Sequence, residues 1–189
     1  NRIFQVGIGL SDASRNNAMT VLQNGNTSIG TVSPLARLHV TDNAVLFSAA
    51  GPVPGVPQPP PISGNGRRMM WYPDKAAFRS GYASTTQWDA ANIGLYSFAT
   101  GSSAVASGLY SVAMGNDNQA TGIGSVAMGS GARCTDDYTI GMGYKPIASG
   151  INSVSIGESS SALGDRSAAI GSSLKSKSYG GMVVGIFND

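Results

Sequence analysis

Few side chains in this sequence can do acid–base, nucleophilic or metal chemistry, and their spacing does not suit it. His39 is the sole histidine and Cys134 the sole cysteine. One of each cannot supply the three or four ligands of a His/Cys metal site within one chain. Leu38-His39-Val40 reads as strand, which gives the imidazole a structural role. Serine is abundant, but no Gly-x-Ser-x-Gly elbow occurs. Asp136 and Asp137 are the acidic residues nearest one another. Neighbours along a strand point to opposite faces, whereas glycoside hydrolysis needs two carboxyls flanking one bond. Gly122-Ile-Gly124-Ser-Val-Ala127 has the outline of a dinucleotide fingerprint, without the helix or βαβ unit that would confirm it. Asn26-Thr-Ser28 is a formal glycosylation sequon. The expectation is a protein that is not an enzyme, with no catalytic or cofactor-binding residue, no metal and no cofactor.

Composition points the same way. The chain has 189 residues, of which 26 are glycine and only 12% are charged, about half the usual charged fraction. Low charge goes with either insolubility or surfaces hidden by self-assembly. The 12 basic and 10 acidic residues form no long run, so there is no basic stripe for nucleic acid. The apolar run at 44–50 is too short to span a bilayer, and no membrane insertion by this segment is expected. The chain opens on Asn1, which points to an excised piece with any export signal or anchor outside it.

The dominant pattern is a 14-residue period starting at Gly94. Written in lines of fourteen, the eighth column is Gly101, Gly115, Gly129, Gly143, Gly157, Gly171 and Gly185. The fourth is Ser97, Ser111, Ser125, Thr139, Ser153, Ser167 and Gly181, and the sixth is Ala99, Ala113, Ala127, Gly141, Ser155, Ala169 and Val183. Columns five and seven are bulkier: Val112 and Met114, Val126 and Met128, Ile140 and Met142, Val154 and Ile156, with Ile170 further on. Period-two alternation of small and bulky residues is a strand signal. Glycine in column eight suits a corner needing positive φ or no Cβ. A second short strand is expected in columns eleven to thirteen, where column thirteen reads Ala106, Ala120, Cys134, Ala148, Ala162 and Ser176. Two strands and two corners make one rung, and seven rungs at ~4.8 Å build a rod of roughly 30 Å. No rung can stand alone.

Columns four to eight carry no charge in any copy; charges sit at corners, as at Asp117, Lys145, Glu158, Asp165, Arg166 and Lys175. One face of each strand must point into the roll, and the other lacks the polar character of a wetted face. The expectation places the roll core at Val112, Met114, Val126, Met128, Ile140, Met142, Val154, Ile156 and Ile170, and sets the Ser/Ala columns against identical subunits. The pattern also permits the reverse. Cys134 replaces Ala or Ser and reads as a small core residue. Tyr96, Tyr110 and Tyr138 share column three, interrupted by Gly124; they either pack between rungs or offer rings to a sugar.

The earlier part divides into a β-rich segment at 1–50, a Pro/Gly-rich linker at 51–66 and a Trp-containing cap at 67–93, followed by the roll at 94–189. Asn24-Gly25 is a favoured hairpin turn between strands at 18–22 and 27–29. Residues 35–40 and 44–47 read as further strands, and 74–79 has some helical character. The 51–66 stretch holds six of the nine prolines and is either a linker or an extended segment pinned along its neighbours. A solenoid end needs covering, and Trp71, Phe78 and Trp88 supply apolar surface for that cap.

The run Gly108-Leu-Tyr-Ser-Val-Ala-Met-Gly, with Ser125-Val-Ala-Met-Gly and Ser153-Val-Ser-Ile-Gly, resembles the head repeat of trimeric autotransporter adhesins, the YadA-like heads. The resemblance covers 94–189 and implies an all-β fold, a left-handed parallel β-roll solenoid, homotrimeric, at the cell surface. It implies as partners extracellular matrix, a host receptor or a surface glycan. Asn24-Gly25-Asn26, Ile29-Gly30-Thr31, the run from Pro34 to Val40, and Arg68 to Arg79 with Trp88-Asp89 resemble segments of secreted tail-fibre-like bacterial proteins. The expected function is a structural and binding segment of a trimeric adhesin. The alternatives are a tail-fibre or receptor-binding segment of a phage or contractile injection machine, and an ice-binding solenoid, although Ser-x-Ala lacks a threonine ladder.

Overall fold

The computed structural model describes residues 2–7, 17–42 and 44–187; residues 8–16 of the expected N-terminal segment lie outside the described set. The chain divides into two compact units, Asn1–Ser48 and Ala49–Asp189.

In the first unit, β1 (Arg2–Gly7), β2 (Asn17–Leu22), β3 (Thr27–Ile29) and β4 (Leu38–Val40) form one sheet in that order. The β2–β3 hairpin turns at Asn24-Gly25, where Gly25 takes φ +83°, a conformation glycine adopts at little cost. β3 and β4 pair in parallel. Residues 44–47 form no strand, contrary to expectation. The prolines at 52, 54 and 57 follow closely, and proline donates no ladder hydrogen bond.

The second unit is the roll with an antiparallel hairpin at one end. The long strand of each rung occupies columns five to nine: β7 (Phe98–Ser102), β9 (Val112–Asn116), β11 (Val126–Ser130), β13 (Ile140–Tyr144), β15 (Val154–Glu158), β17 (Ala168–Ser172) and β19 (Met182–Ile186). Each pairs in parallel with the strand 14 residues on, in perfect register. The short strands β8 (Val105–Ala106), β10 (Gln119–Ala120), β12 (Arg133–Cys134), β14 (Ile147–Ala148), β16 (Ser161–Ala162) and β18 (Lys175–Ser176) form the second wall. The corners fall at columns three and ten, where non-glycine residues sit at positive φ: Tyr110 at 59°, Asp117 at 51°, Lys145 at 52° and Arg166 at 57°.

Column-eight glycine lies inside the long strand instead of at the corner. Its φ of +111° to +139° is open only to glycine. A Cβ on Gly115 would meet the Gly129 carbonyl oxygen at 2.1 Å. The invariance of the column follows from stacking as much as from the dihedral.

The core assignment is inverted relative to expectation. The interior of the roll is the small column: Ala99, Ala113, Ala127 and Ala169 are fully buried, as are Ala106, Ala120, Cys134, Ala148 and Ala162 opposite them. Val112, Met114, Val126, Met128, Ile140, Met142, Val154, Ile156 and Ile170 point outward, half-buried or, for Met142, exposed. The reason is width. A fourteen-residue rung sets its two walls so close that alanine fills the gap. Even the absent Cβ of Gly141 would lie 2.7 Å from the Cys134 sulfur. The buried hydroxyls of column four fit because they are bonded: Ser97 to the Gly94 carbonyl, Ser111 to Gly108, Ser125 to Gly122 and Thr139 to Asp136 at 2.6–2.8 Å, and Ser153 and Ser167 to the Ala162 and Ser176 carbonyls of the short wall at 3.2 and 3.5 Å. A buried hydroxyl is tolerated when it is bonded.

At the first rung, β5 (Gly66–Tyr72) and β6 (Ala77–Ala83) form a hairpin, and β6 pairs in parallel with β7. Residues 74–79 are not helical: a 3-10 turn at Pro73–Lys75 ends at Ala76 in the left-handed region, and β6 begins. The proline-rich stretch is pinned to this hairpin. The Gln58 amide donates to Asp74 at 2.9 Å, the Tyr72 hydroxyl donates to the Gln58 carbonyl, and the Gly64 amide donates to Asp89 at 2.6 Å.

Candidate interaction surfaces

Three outer features of the second unit can meet another molecule. The first is the wide wall. Columns five and seven form two apolar ladders, one running Phe98, Val112, Val126, Ile140, Val154, Ala168, Met182 and the other Thr100, Met114, Met128, Met142, Ile156, Ile170, Val184. The first ladder extends onto β6, where Phe78 stacks on Phe98 with ring centroids 5.6 Å apart. No charged residue stands in either ladder. Contiguous apolar faces of this kind are uncommon on monomers and mark interaction surfaces.

The second is the corner of column three. Tyr96, Tyr110 and Tyr138 are 47%, 57% and 59% exposed and all lie at positive φ. Tyr96 and Tyr110 stack with centroids 5.3 Å apart and planes 14° apart. Tyr138 leans over the bare side of Gly124, where an added Cβ would meet its ring at 2.9 Å. The ladder therefore packs between rungs while keeping its edges in solvent.

The third is the hairpin end. Trp88 is fully buried and donates Nε1–H to the Ala104 carbonyl at 2.9 Å, with the Arg68 guanidinium 5.6 Å from its ring centre. Phe78 is half-buried, whereas Trp71 is 38% exposed. The dominant residue here was absent from the sequence expectations. Arg79 is fully buried at the position where later rungs carry alanine. Its guanidinium donates to the carbonyls of Phe78, Ser97 and Ala106 and to the Ser97 hydroxyl at 2.7–3.0 Å. Burial lowers it to about 10, so it stays a cation at neutral pH. The available signal was Phe78-Arg-Ser-Gly81, which repeats the Phe98-Ala-Thr-Gly101 pattern of columns five to eight outside the 14-residue register.

Several of the groups weighed for chemistry make structural hydrogen bonds. The Asp137 carboxylate accepts the Ile123 amide at 2.9 Å, and Asp165 does the same for Ile151 at 3.0 Å, so both close corners between rungs. His39 Nδ1 accepts the Leu35 amide at 3.3 Å. Cys134 is buried and its thiol is raised to about 11 by burial. Among the described residues no group of three or more His, Cys, Asp or Glu could hold a metal ion, and no helix is long and apolar enough to cross a membrane.

A family model for the YadA head domain repeat, two copies long, matches residues 93–118, 106–132 and 148–173. The roll is a YadA-like head. The unmatched stretch at 133–147 contains the copy where Gly122 and Gly150 are replaced by Asp136 and where Pro146 enters the short wall. Its strands nevertheless keep full register with both neighbours. No curated protein and no solved structure matches the chain. The head repeats and the solenoid belong to a structural, adhesin type of family.

Proposed function

We propose that this chain is a binding segment of a trimeric, cell-surface adhesin, with the roll as its rigid head. The observation that carries the reading is the bare pair of apolar ladders on the wide wall. Three identical chains set side by side would cover the ladders by symmetry, with the face opposite to the one expected from the sequence. The corners then remain outside and present Tyr96, Tyr110, Tyr138 and the charged turns to extracellular matrix, a host receptor or a surface glycan. Residues 67–93 act as the cap: Arg79 and Trp88 bond the carbonyls of the first rung, and residues 51–66 strap the hairpin. An ice-binding role needs a flat Ser/Ala surface, and here that surface is interior.

Light scattering tests the assembly. The expected mass is three times 19.2 kDa. Val126→Asp places a charge in the middle of a ladder and is expected to give monomer or loss of fold. A well-folded wild-type monomer at high concentration overturns the proposal.

A further inference from the structure

The described residues of the first unit are hydrogen-bonded within one chain yet form no apolar core among themselves. Register sets Val6, Met19, Ile29 and Val40 in one row across the four strands, and Phe4, Val21, Thr27 and Leu38 in the next row on the same face. Alternation places Thr20, Ser28 and His39 on the opposite face. That polar face is the one the chain closes over itself. Thr20 and Ser28 are fully buried, Ser28 donates to the Thr31 carbonyl, His39 accepts from Leu35, and Pro34 is buried. The apolar face is partly open: Phe4 is 53%, Ile29 50% and Leu38 64% exposed, while Met19, Val21, Thr27 and Val40 are half-buried. Among the described residues of this unit, Pro34 is the only buried apolar side chain. A sheet this small with its polar side inside cannot hold its shape alone in water.

We propose that this face is where the N-terminal sheets of identical chains pack on one another, so that each sheet is laddered within its chain and its core is assembled between chains. The occupant is a second copy for two reasons. None of the eight residues of the face is charged, so nothing on it selects a charged partner, and like apolar faces complement one another under rotational symmetry. The second reason rests on the trimer reading: a roll that gathers copies through its ladders holds their N-terminal sheets at high effective concentration. Both trimer contacts would then be apolar sheet faces, joined through one chain.

Hydrogen exchange on the full-length chain, read beside its mass, tests this. In the wild-type oligomer the amides of β2 and β4 are expected to exchange about a hundredfold more slowly than in Leu38→Asp, with the mass unchanged by the substitution. Leu35→Asp, a charge of the same size at an 89% exposed loop site, should keep the protection. If Leu38→Asp also unfolds the sheet by itself, Val126→Asp decides with the N-terminal sequence intact: a folded monomeric roll should lose the protection of β2 and β4. Two results overturn the inference and leave the adhesin reading standing. One is an oligomer whose β2 and β4 amides are no slower than in Leu38→Asp; the other is a monomeric Val126→Asp chain with protection undiminished. A wild-type monomer overturns both.

Discussion

Exchanging one atom's worth of volume between Cys134 and Gly141 should reveal how tightly the interior of the roll is set. Column thirteen of each rung stands seven residues before column six of the next, the pairs reading Ala106/Ala113, Ala120/Ala127, Cys134/Gly141, Ala148/Ser155 and Ala162/Ala169, and Cys134 faces Gly141 directly. Where the first member grows by a sulfur, the second loses its Cβ. Gly141 does not lie in the left-handed region, so alanine suits its backbone. The obstacle is steric: the added Cβ would sit 2.7 Å from Sγ of Cys134, with Pro146 and Ala132 at 3.6 and 3.7 Å closing the other sides. Gly141→Ala alone should therefore cost about 1–3 kcal/mol through overpacking. Cys134→Ala alone leaves a sulfur-sized gap and loses the contact of Sγ with the Val126 carbonyl at 3.1 Å, a cost of about 1 kcal/mol. The double variant recreates the Ala/Ala pair of the neighbouring rungs and should lie close to wild type, helped by the lower unfolded-state entropy of alanine. Thermal unfolding at one scan rate reads this out, at about 2–4 °C per kcal/mol for a chain of this length. Two singles that each lower Tm and a double that restores it give a coupling of about 1–3 kcal/mol. Additive losses would refute the claim that the two positions share one fixed volume.

Other substitutions probe the polar groups that close the interior. Arg79→Met removes a cation that bonds three carbonyls and should lower stability by about 2 kcal/mol, and Arg79→Lys should recover less than half because it lacks the planar fork; thermal melts of both check it. Since the folded guanidinium is lowered to about 10, the penalty on its charge eases only above that pH, and the effect of Arg79→Met should be flat from pH 5 to 9. Asn118 donates to the Met114 and Gly129 carbonyls and accepts the Ala132 amide, all at 2.6–2.8 Å. Asn118→Ala strands those groups between two rungs and should cost about 2–3 kcal/mol in a denaturant titration. The Cys134 thiol, raised by burial from 9.0 to about 11, is favoured neutral in the fold. Its contribution is whole below pH 9 and falls away between pH 9 and 11, by up to about 3 kcal/mol; Cys134→Ala should unfold with less alkaline dependence across that window.

The period, the parallel stacking and the column of glycines were legible because each rung repeats the same local problem seven times. Which face of the strand turns inward was not legible. Hydrophobicity ranks Val112 and Met114 above Ala113, and burial usually follows that ranking. Here the spacing of the walls decides, and a residue-by-residue scale contains no wall spacing. Arg79 escaped for a related reason: a buried arginine without an acid partner contradicts the usual burial order, and only the convergence of the Phe78, Ser97 and Ala106 carbonyls at the rung end makes sense of it. The corner read from the glycines was misplaced by two columns, because glycine at column eight answers to the carbonyl of the next rung and not to the turn, whereas Asp117, Lys145 and Arg166 do stand at corners. Trp88 is fully buried and Trp71 is 38% exposed, a difference the sequence does not carry, since both look equally suited to a cap until their register in the hairpin is known.

The alanine interior also bears on why such a chain should assemble at all. A rung that buries mainly Ala, Gly and Ser gains little apolar burial per ordered residue, on the order of one methyl for each interior column. Against that stands about 1–2 kcal/mol of backbone entropy for every residue fixed. The larger apolar groups of each rung, such as Val126 and Met128, face outward, so most of the burial available to this sequence becomes real only when another surface covers the ladders. The four-stranded sheet repeats the arrangement, with Thr20 and Ser28 inside and Phe4, Ile29 and Leu38 outside. In both units the hydrogen bonds are local to one chain while the apolar groups wait for contact beyond it. On the trimer reading, stability should rise with protomer concentration, a charge placed on the roll's ladders should act first on association, and one on the N-terminal face should act on that sheet alone.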